Sequence, residues 1–200
     1  MILDDLCRYN EAGCRTGSWA FWRHIARQTY THPGLLAVVI FRFGGWVGRC
    51  RAPIVRQLLE VVYQCGYAFA RLALQIEVPR GTRIGPGFRI DHYGGILINS
   101  QAVIGRNFTV SQGVLVGATE SGVPTIGDDV HCGVGAKILG GITLGDCIKI
   151  GAGAVVTRSF EGHAVIAGVP ARVLRPLHTP PGIRGEIPRS TADNRADCDG

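Results

Sequence analysis

The chain has 200 residues, of which 46% are hydrophobic and 18% are charged, with a formal net charge of +6 at pH 7. These values are ordinary for a soluble globular chain of one or two domains with a core of useful size. The longest apolar run, 35–47, is broken by Arg42 and two glycines, and is too short to span a bilayer, which needs about 20 residues of helix. An acidic, polar N-terminus argues against a signal peptide.

The seven cysteines and the positive charge give further expectations. The cysteines are scattered singly with no CxxC pair, so we expect reduced thiols in a cytoplasmic protein and no metal site. Residues 1–75 hold most of the charge excess, with nine Arg against four acids. This excess is either a solvated helix face or a site for an anionic partner, such as a CoA phosphate, an acidic glycan or a membrane surface. We expect no nucleic-acid partner.

Residues 1–75 are predicted to form a helical N-terminal domain. Apolar residues three and four apart between Leu58 and Cys65 indicate helix, and turn or breaker residues stand at Gly13, Pro33 and Pro53. Three or four helices are expected in this part of the chain.

From residue 76 onward a period of six residues replaces the helical spacing. The recurring residue is aliphatic at every position except one, which is a cysteine: Val78, Ile84, Ile90, Ile98, Ile104, Val110, Val116, Ile126, Cys132, Ile138, Leu144, Ile150 and Val156. The two longer steps, after Ile90 and after Val116, mark insertions of two and four residues. Such repeats predict short strands joined by turns, three to a triangular coil, with the aliphatic residues stacked inside.

The predicted fold class is therefore mainly β with an α-helical N-terminal part. Residues 76–176 form a parallel β-helix of about four coils. Residues 177–200 are rich in Pro, Gly, Arg and Asp with few aliphatics, which predicts a flexible C-terminal tail.

His92 is the histidine that stands out, because it lies in the first insertion, within Ile90–Asn99 (IDHYGGILIN). Insertions on a solenoid map to its binding face. An imidazole is well suited to take a proton from a hydroxyl near neutral pH. We therefore predict that His92 is a general base.

The repeats, followed by VIAGVPARVLRP at 165–176, resemble the hexapeptide-repeat acyltransferases, most closely serine acetyltransferases and the related colanic-acid and capsular polysaccharide O-acetyltransferases. The resemblance covers roughly residues 70–176. It implies a left-handed coil, acetyl-CoA as acyl donor without a metal, and a homotrimer or dimer of trimers with active sites between neighbouring prisms. It also implies that Glu77 orients the His92 imidazole and that Asp91 contacts the acceptor.

The same resemblance assigns the acyl-donor groove. Small residues would let main-chain amides contact an extended pantetheine arm, and the AGVPAR segment would close the last coil and bring a cation to the CoA phosphates. The residues so assigned are Gly117, Ala118, Gly135, Ala152, Gly153, Gly168 and Arg172. Coil geometry alone also explains each glycine and alanine.

Two departures from serine acetyltransferases bear on the acceptor. Residues 117–126 contain no Arg, Lys or His, whereas the family places an adjacent Arg-His pair there to grip the serine carboxylate. The GIVVGE segment of the family becomes Gly95–Ser100, which loses a carboxylate. We therefore expect a saccharide hydroxyl as acceptor, with Asn99 as a partner, and keep serine O-acetyltransferase as the alternative.

Two readings from other classes remain. A non-catalytic scaffold would have no use for Glu77 and His92 together. A carbonic anhydrase on this fold needs three histidines around a metal, and the repeats offer only His92 and His131. The basic N-terminal region is also a candidate for membrane-surface association.

Overall fold

A computed structural model of the protein describes residues 1–9, Arg23 and 32–177. The described N-terminal part contains the helices α1 (Ile2–Cys7), α2 (Pro33–Val47) and α3 (Pro53–Leu72). The two prolines expected to act as breakers are the first residues of α2 and α3, where the missing N–H costs nothing. No helix within the described ranges has the length and apolar character needed to cross a membrane.

Residues 76–176 fold into fifteen short strands that wind into a three-sided prism. Sheet 1 contains β1 (Ile76–Glu77), β4 (Ile96–Ile98), β7 (Leu115–Gly117), β10 (Lys137–Leu139) and β13 (Val155–Val156). Sheet 2 contains β2 (Arg83–Ile84), β5 (Val103–Ile104), β8 (Thr125–Ile126) and β11 (Thr143–Leu144). Sheet 3 contains β3 (Arg89–Ile90), β6 (Thr109–Val110), β9 (His131–Cys132), β12 (Ile148–Ile150), β14 (Ala164–Ala167) and β15 (Arg172–Pro176).

All pairings within the prism are parallel except that of β14 with β15, which closes the end of sheet 3. Five strands in sheet 1 correspond to about five turns, more than the roughly four expected, because β14 adds a strand after the last predicted repeat. The predicted left-handed β-helix with a helical N-terminal part is confirmed.

The interior of the prism is the column of residues that the six-residue period predicts. Each of the thirteen recurring residues is buried, and none is more than 6% exposed. The rings of Phe88 and Phe108 are buried beside this column, next to the strands of sheet 3, and are stacked with their centroids 6.0 Å apart. Burial of each Val, Leu or Ile side chain stabilises the fold by about 1.5–3 kcal/mol, so the column dominates the stability of this part.

The N-terminal helices pack on the first coil through a buried ion pair. The Arg42 guanidinium donates to both carboxylate oxygens of Asp5, at 2.6 and 3.1 Å, and to the carbonyls of Ile84 and Gly85. The Phe88 amide donates to Asp5 at 2.8 Å. Helix and coil also share one apolar core, and the division of the chain into domains at residue 76 stays a prediction.

One expectation about the cysteines is wrong. Cys7 is disulfide-bonded, so the seven cysteines are not all reduced thiols. Sequence spacing failed here because it does not show which sulfurs approach each other in space. Cys50, Cys65 and Cys132 are free thiols. The predicted C-terminal tail lies, apart from Leu177, outside the described residues.

Candidate active site

The chain passes from sheet 3 to sheet 1 at one corner of the prism, and backbone in the left-handed region is stacked there. We call this column the glycine corner; it consists of Gln75, Gly95, Gly113, Gly135 and Gly153, with φ between 54° and 72°. A Cβ on Gly113 would stand 3.3 Å from the Cα of Gly135. Glycine is favoured here because it adopts positive φ without steric cost and lets one turn approach the next.

The two-residue insertion lies on this corner. Gly94 and Gly95 follow His92 and Tyr93, and Gly95 stands in register with Gly113 one coil further on. The Gly94 carbonyl accepts a hydrogen bond from the Gly113 amide at 2.8 Å, which fixes the base of the loop. His92 is exposed at the tip of the loop, so its imidazole is accessible from outside the prism.

Glu77 lies on β1, where it pairs in register with Leu97 of β4, the strand that the His92 loop enters. Its side chain is 38% exposed, and Oε2 lies 3.4 Å from Nε of Arg71, at the end of α3. No hydrogen bond joins Glu77 to His92 within the part of the chain described. Glu77 and His92 thus flank the same corner, and the role of Glu77 in orienting the imidazole stays a prediction.

Asp91, the predicted acceptor contact, has a cation beside it. Nε of Arg89 lies 2.5 Å from Oδ1 of Asp91, and the same guanidinium donates to the Arg8 carbonyl and lies over the Tyr9 ring. Three contacts therefore hold Arg89 in place, and its charge compensates that of Asp91.

Asn99, the other predicted acceptor partner, lies on the next corner, where sheet 1 leads into sheet 2. Its Oδ1 accepts a hydrogen bond from the Gln101 amide at 2.9 Å, which makes it part of a local turn. Its amide nitrogen has no partner among the described residues and is the group left to bind a ligand.

The residues predicted for the acyl donor fall into two groups. Gly135 and Gly153 belong to the glycine corner, and Ala152 directly precedes Gly153. Gly168 lies beside them, because its carbonyl accepts a hydrogen bond from the Val155 amide at 3.0 Å. A Cβ on Gly153 would meet nothing within 4 Å, so the last turns of this corner are open to the outside. Arg172 is exposed at the start of β15.

Gly117 and Ala118 are not part of that group. Gly117 ends β7 and is buried, and a Cβ there would stand 3.0 Å from a methyl carbon of Leu139. The width of sheet 1 therefore separates these two residues from the glycine corner. The structure also adds two residues that sequence reasoning missed, Arg71 and Arg89, and no sequence signal pairs Arg71 with Glu77.

The fold is a left-handed β-helix, and it is similar to that of a hexapeptide-repeat transferase of known structure. No protein-family model matches it. Among curated proteins it resembles serine acetyltransferases: that of Synechococcus elongatus is 36% identical over 147 residues, covering 72% of this chain and 57% of the relative. That of Mycobacterium tuberculosis is 33% identical over 159 residues, covering 76% of this chain and 66% of the relative. The chain thus spans less than two thirds of these relatives.

Solved structures that resemble the chain are also serine acetyltransferases. A hexapeptide-repeat serine O-acetyltransferase from Brucella melitensis superposes with a TM-score of 0.68 at 26% identity, covering 88% of this chain and 68% of the other. A Neisseria gonorrhoeae serine acetyltransferase in complex with serine gives a TM-score of 0.66 at 26% identity, covering 86% and 66%. The resemblance to serine acetyltransferases stated from the sequence is confirmed.

Proposed function

We propose that the chain is an acetyl-CoA-dependent O-acetyltransferase with His92 as general base and L-serine as acceptor. The observation that carries the proposal is the exposed His92 on a two-residue insertion at the glycine corner of a hexapeptide-repeat prism. The relatives named above are serine acetyltransferases, and one structural neighbour is a complex with serine. They favour serine over the saccharide that the sequence first suggested, and they do not support a role in polysaccharide synthesis.

The proposed chemistry needs only one mobile proton. The His92 imidazole accepts the proton of the acceptor hydroxyl while that oxygen bonds to the thioester carbonyl carbon. The proton then passes to the sulfur as the carbon–sulfur bond breaks, which yields an O-acetyl ester and free CoA. General-base assistance of this kind is worth about a hundred- to ten-thousandfold in rate.

Glu77 is proposed to hold the imidazole in one tautomer and to stabilise the imidazolium. A carboxylate hydrogen-bonded to one ring nitrogen has this effect in other general-base enzymes. Its present partner, Arg71, is half exposed, and exposed ion pairs are weak, at about 0–1 kcal/mol. Glu77 can therefore leave Arg71 for His92 at little cost.

The open end of the glycine corner fits an extended acyl-donor arm. Gly135, Gly153 and Gly168 carry no side chain, and the space beside Gly153 is empty, so main-chain groups are accessible there. Arg172 is exposed beside Gly168, where it is proposed to pair with the phosphates of acetyl-CoA. Gly117 and Ala118 lie across sheet 1, so they would contact the acyl donor only where the donor crosses that face of the prism. A neighbouring prism would contact the donor at the same place.

A saccharide hydroxyl remains the second candidate acceptor because of one observation. Residues 117–126 carry no cation that could bind a serine carboxylate. A saccharide would need only neutral hydrogen-bond partners, such as the amide nitrogen of Asn99. The homotrimer or dimer of trimers, and the cytoplasmic location, also stay predictions.

The test measures CoA release with a thiol reagent, using acetyl-CoA with L-serine and with saccharide acceptors in parallel. His92→Asn is expected to lower turnover by at least about a hundredfold. His163→Asn, a matched change at an exposed histidine in the last coil, should leave turnover within about twofold. Equal turnover of the two variants would remove the base assignment, and no CoA release with either acceptor would overturn the proposed activity.

A further inference from the structure

Two adjoining cavities lie between the N-terminal helices and the first coil. One has a volume of about 410 Å³ and is lined by Arg51, Arg56 and Arg80; the other has a volume of about 200 Å³ and is lined by Arg49, Arg80 and Arg83. Arg80 is common to both. We call the two cavities together the arginine cleft.

The charge of the arginine cleft is largely uncompensated. Glu60 is the one acidic residue among the lining side chains of the larger cavity, and it is bound by Arg80 at 2.6 Å and by the Gln64 amide at 2.9 Å. The guanidinium groups of Arg51 and Arg56 form no hydrogen bond or ion pair with any described residue. Three cations against one carboxylate leave a surplus of two charges in a single cavity.

Arg80, which lines both cavities of the arginine cleft, has a side chain fixed by two contacts. Besides its ion pair with Glu60, its guanidinium carbon lies 5.2 Å from the centre of the Tyr63 ring. A cation fixed by an ion pair and by a ring face loses little further side-chain entropy when it binds a ligand. Arg42, which also lines the smaller cavity, is already occupied by Asp5.

We propose that the arginine cleft binds a diphosphate group, either as free diphosphate or as part of a nucleoside diphosphate. Guanidinium groups pair with phosphate oxygens in a bidentate manner, and three of them around one cavity match a ligand that carries more than one negative charge. A volume of about 410 Å³ lies within the range of small-molecule sites.

The site is distinct from the proposed acetyl-CoA groove. Arg80 lies between β1 and β2 in the first coil, whereas Gly153 and Gly168 lie in the last turns. Four coil steps of about 4.8 Å separate the two positions along the prism by about 19 Å. The inference therefore does not depend on the identity of the acceptor or on the catalytic role of His92.

The test is titration calorimetry of the full chain with inorganic pyrophosphate in low salt, followed by uridine diphosphate. Arg51→Gln with Arg56→Gln should weaken pyrophosphate binding by about a hundredfold, or about 2.7 kcal/mol. Arg158→Gln, which removes an exposed charge near the far end of the prism, should change the Kd by less than twofold. Uridine diphosphate should compete with pyrophosphate, and higher salt should weaken both.

Three results would overturn the proposal. These are the absence of saturable pyrophosphate binding, an unchanged Kd in the double variant, and an equal loss in Arg158→Gln. A serine acetylation assay on the double variant keeps the two proposals apart, because turnover should be retained whether or not pyrophosphate binds.

Discussion

Replacement of Arg42 by alanine should destabilise the protein strongly, because it breaks the buried ion pair of α2 with Asp5 of α1 and the hydrogen bonds of Arg42 to the first coil. The Arg42 side chain is 5% exposed and that of Asp5 is fully buried. Without Arg42, the one hydrogen bond that Asp5 keeps with the described residues is that from the Phe88 amide, and the carbonyls of Ile84 and Gly85 lose the Arg42 donor. Removal of one partner of a buried pair costs about 3–5 kcal/mol, since the other charge stays buried.

The expected shift in melting temperature follows from that cost. A chain of about 200 residues loses roughly 2–4 °C per kcal/mol, so Arg42→Ala should melt about 6–20 °C below the wild type. Urea denaturation should show a lower midpoint with an unchanged slope. Arg106→Ala is the matched control, because Arg106 pairs with Asp128 at the surface and such pairs contribute at most about 1 kcal/mol.

A double variant tests the cause. Combining Asp5→Ala with Arg42→Ala leaves no unpaired charge, so its loss of stability should be smaller than the sum of the single losses. Simple additivity of the two losses, or a loss from Arg42→Ala no larger than from Arg106→Ala, would contradict the reasoning.

Three further outcomes are expected. Glu77→Gln should lower turnover about tenfold, which is less than the loss expected when His92 itself is replaced. Arg71→Gln should retain at least about half of the turnover. Equal losses in the two variants would mean that Glu77 serves only the ion pair with Arg71. Gly153→Asn should raise KM for acetyl-CoA severalfold with a small change in melting temperature, because asparagine tolerates positive φ and its side chain would enter the proposed groove; an unchanged KM would exclude donor binding there. Desolvation lowers the pKa of His131 from 6.5, so the unfolded state takes up its proton first as the pH falls, and stability should decrease below about pH 6.5. His131→Asn should reduce that decrease in urea titrations, and an unaltered pH dependence would refute the shift.

The N-terminal helices show where local signals succeed and where they end. Pro33 and Pro53 mark the starts of α2 and α3 because the proline ring fixes φ and removes the backbone N–H at its own position. The contact of Arg42 with Asp5 joins residues 37 apart, and neither residue carries a signal that names its partner. The disulfide at Cys7 was missed for the same reason.

The candidate site divides in a similar way. The insertion before Ile98 is visible as a break in a strict period, which placed His92 outside the regular wall. The partner of Glu77 is not visible, because Arg71 comes from α3, whereas Arg89 stands only two residues before Asp91 in the sequence. The contact of Glu77 with Arg71 depends on how the end of a helix and a strand meet in space.

The sequence by itself determined the β-helix, its insertions and the candidate base. The six-residue period shows directly which side chain of each repeat points into the prism. Only the tertiary structure decided that Arg71 of α3 lies beside Glu77. It alone also brought six arginines of the N-terminal part and the first coil around one cleft. Such groupings arise from the packing of helix on coil, which no local pattern records.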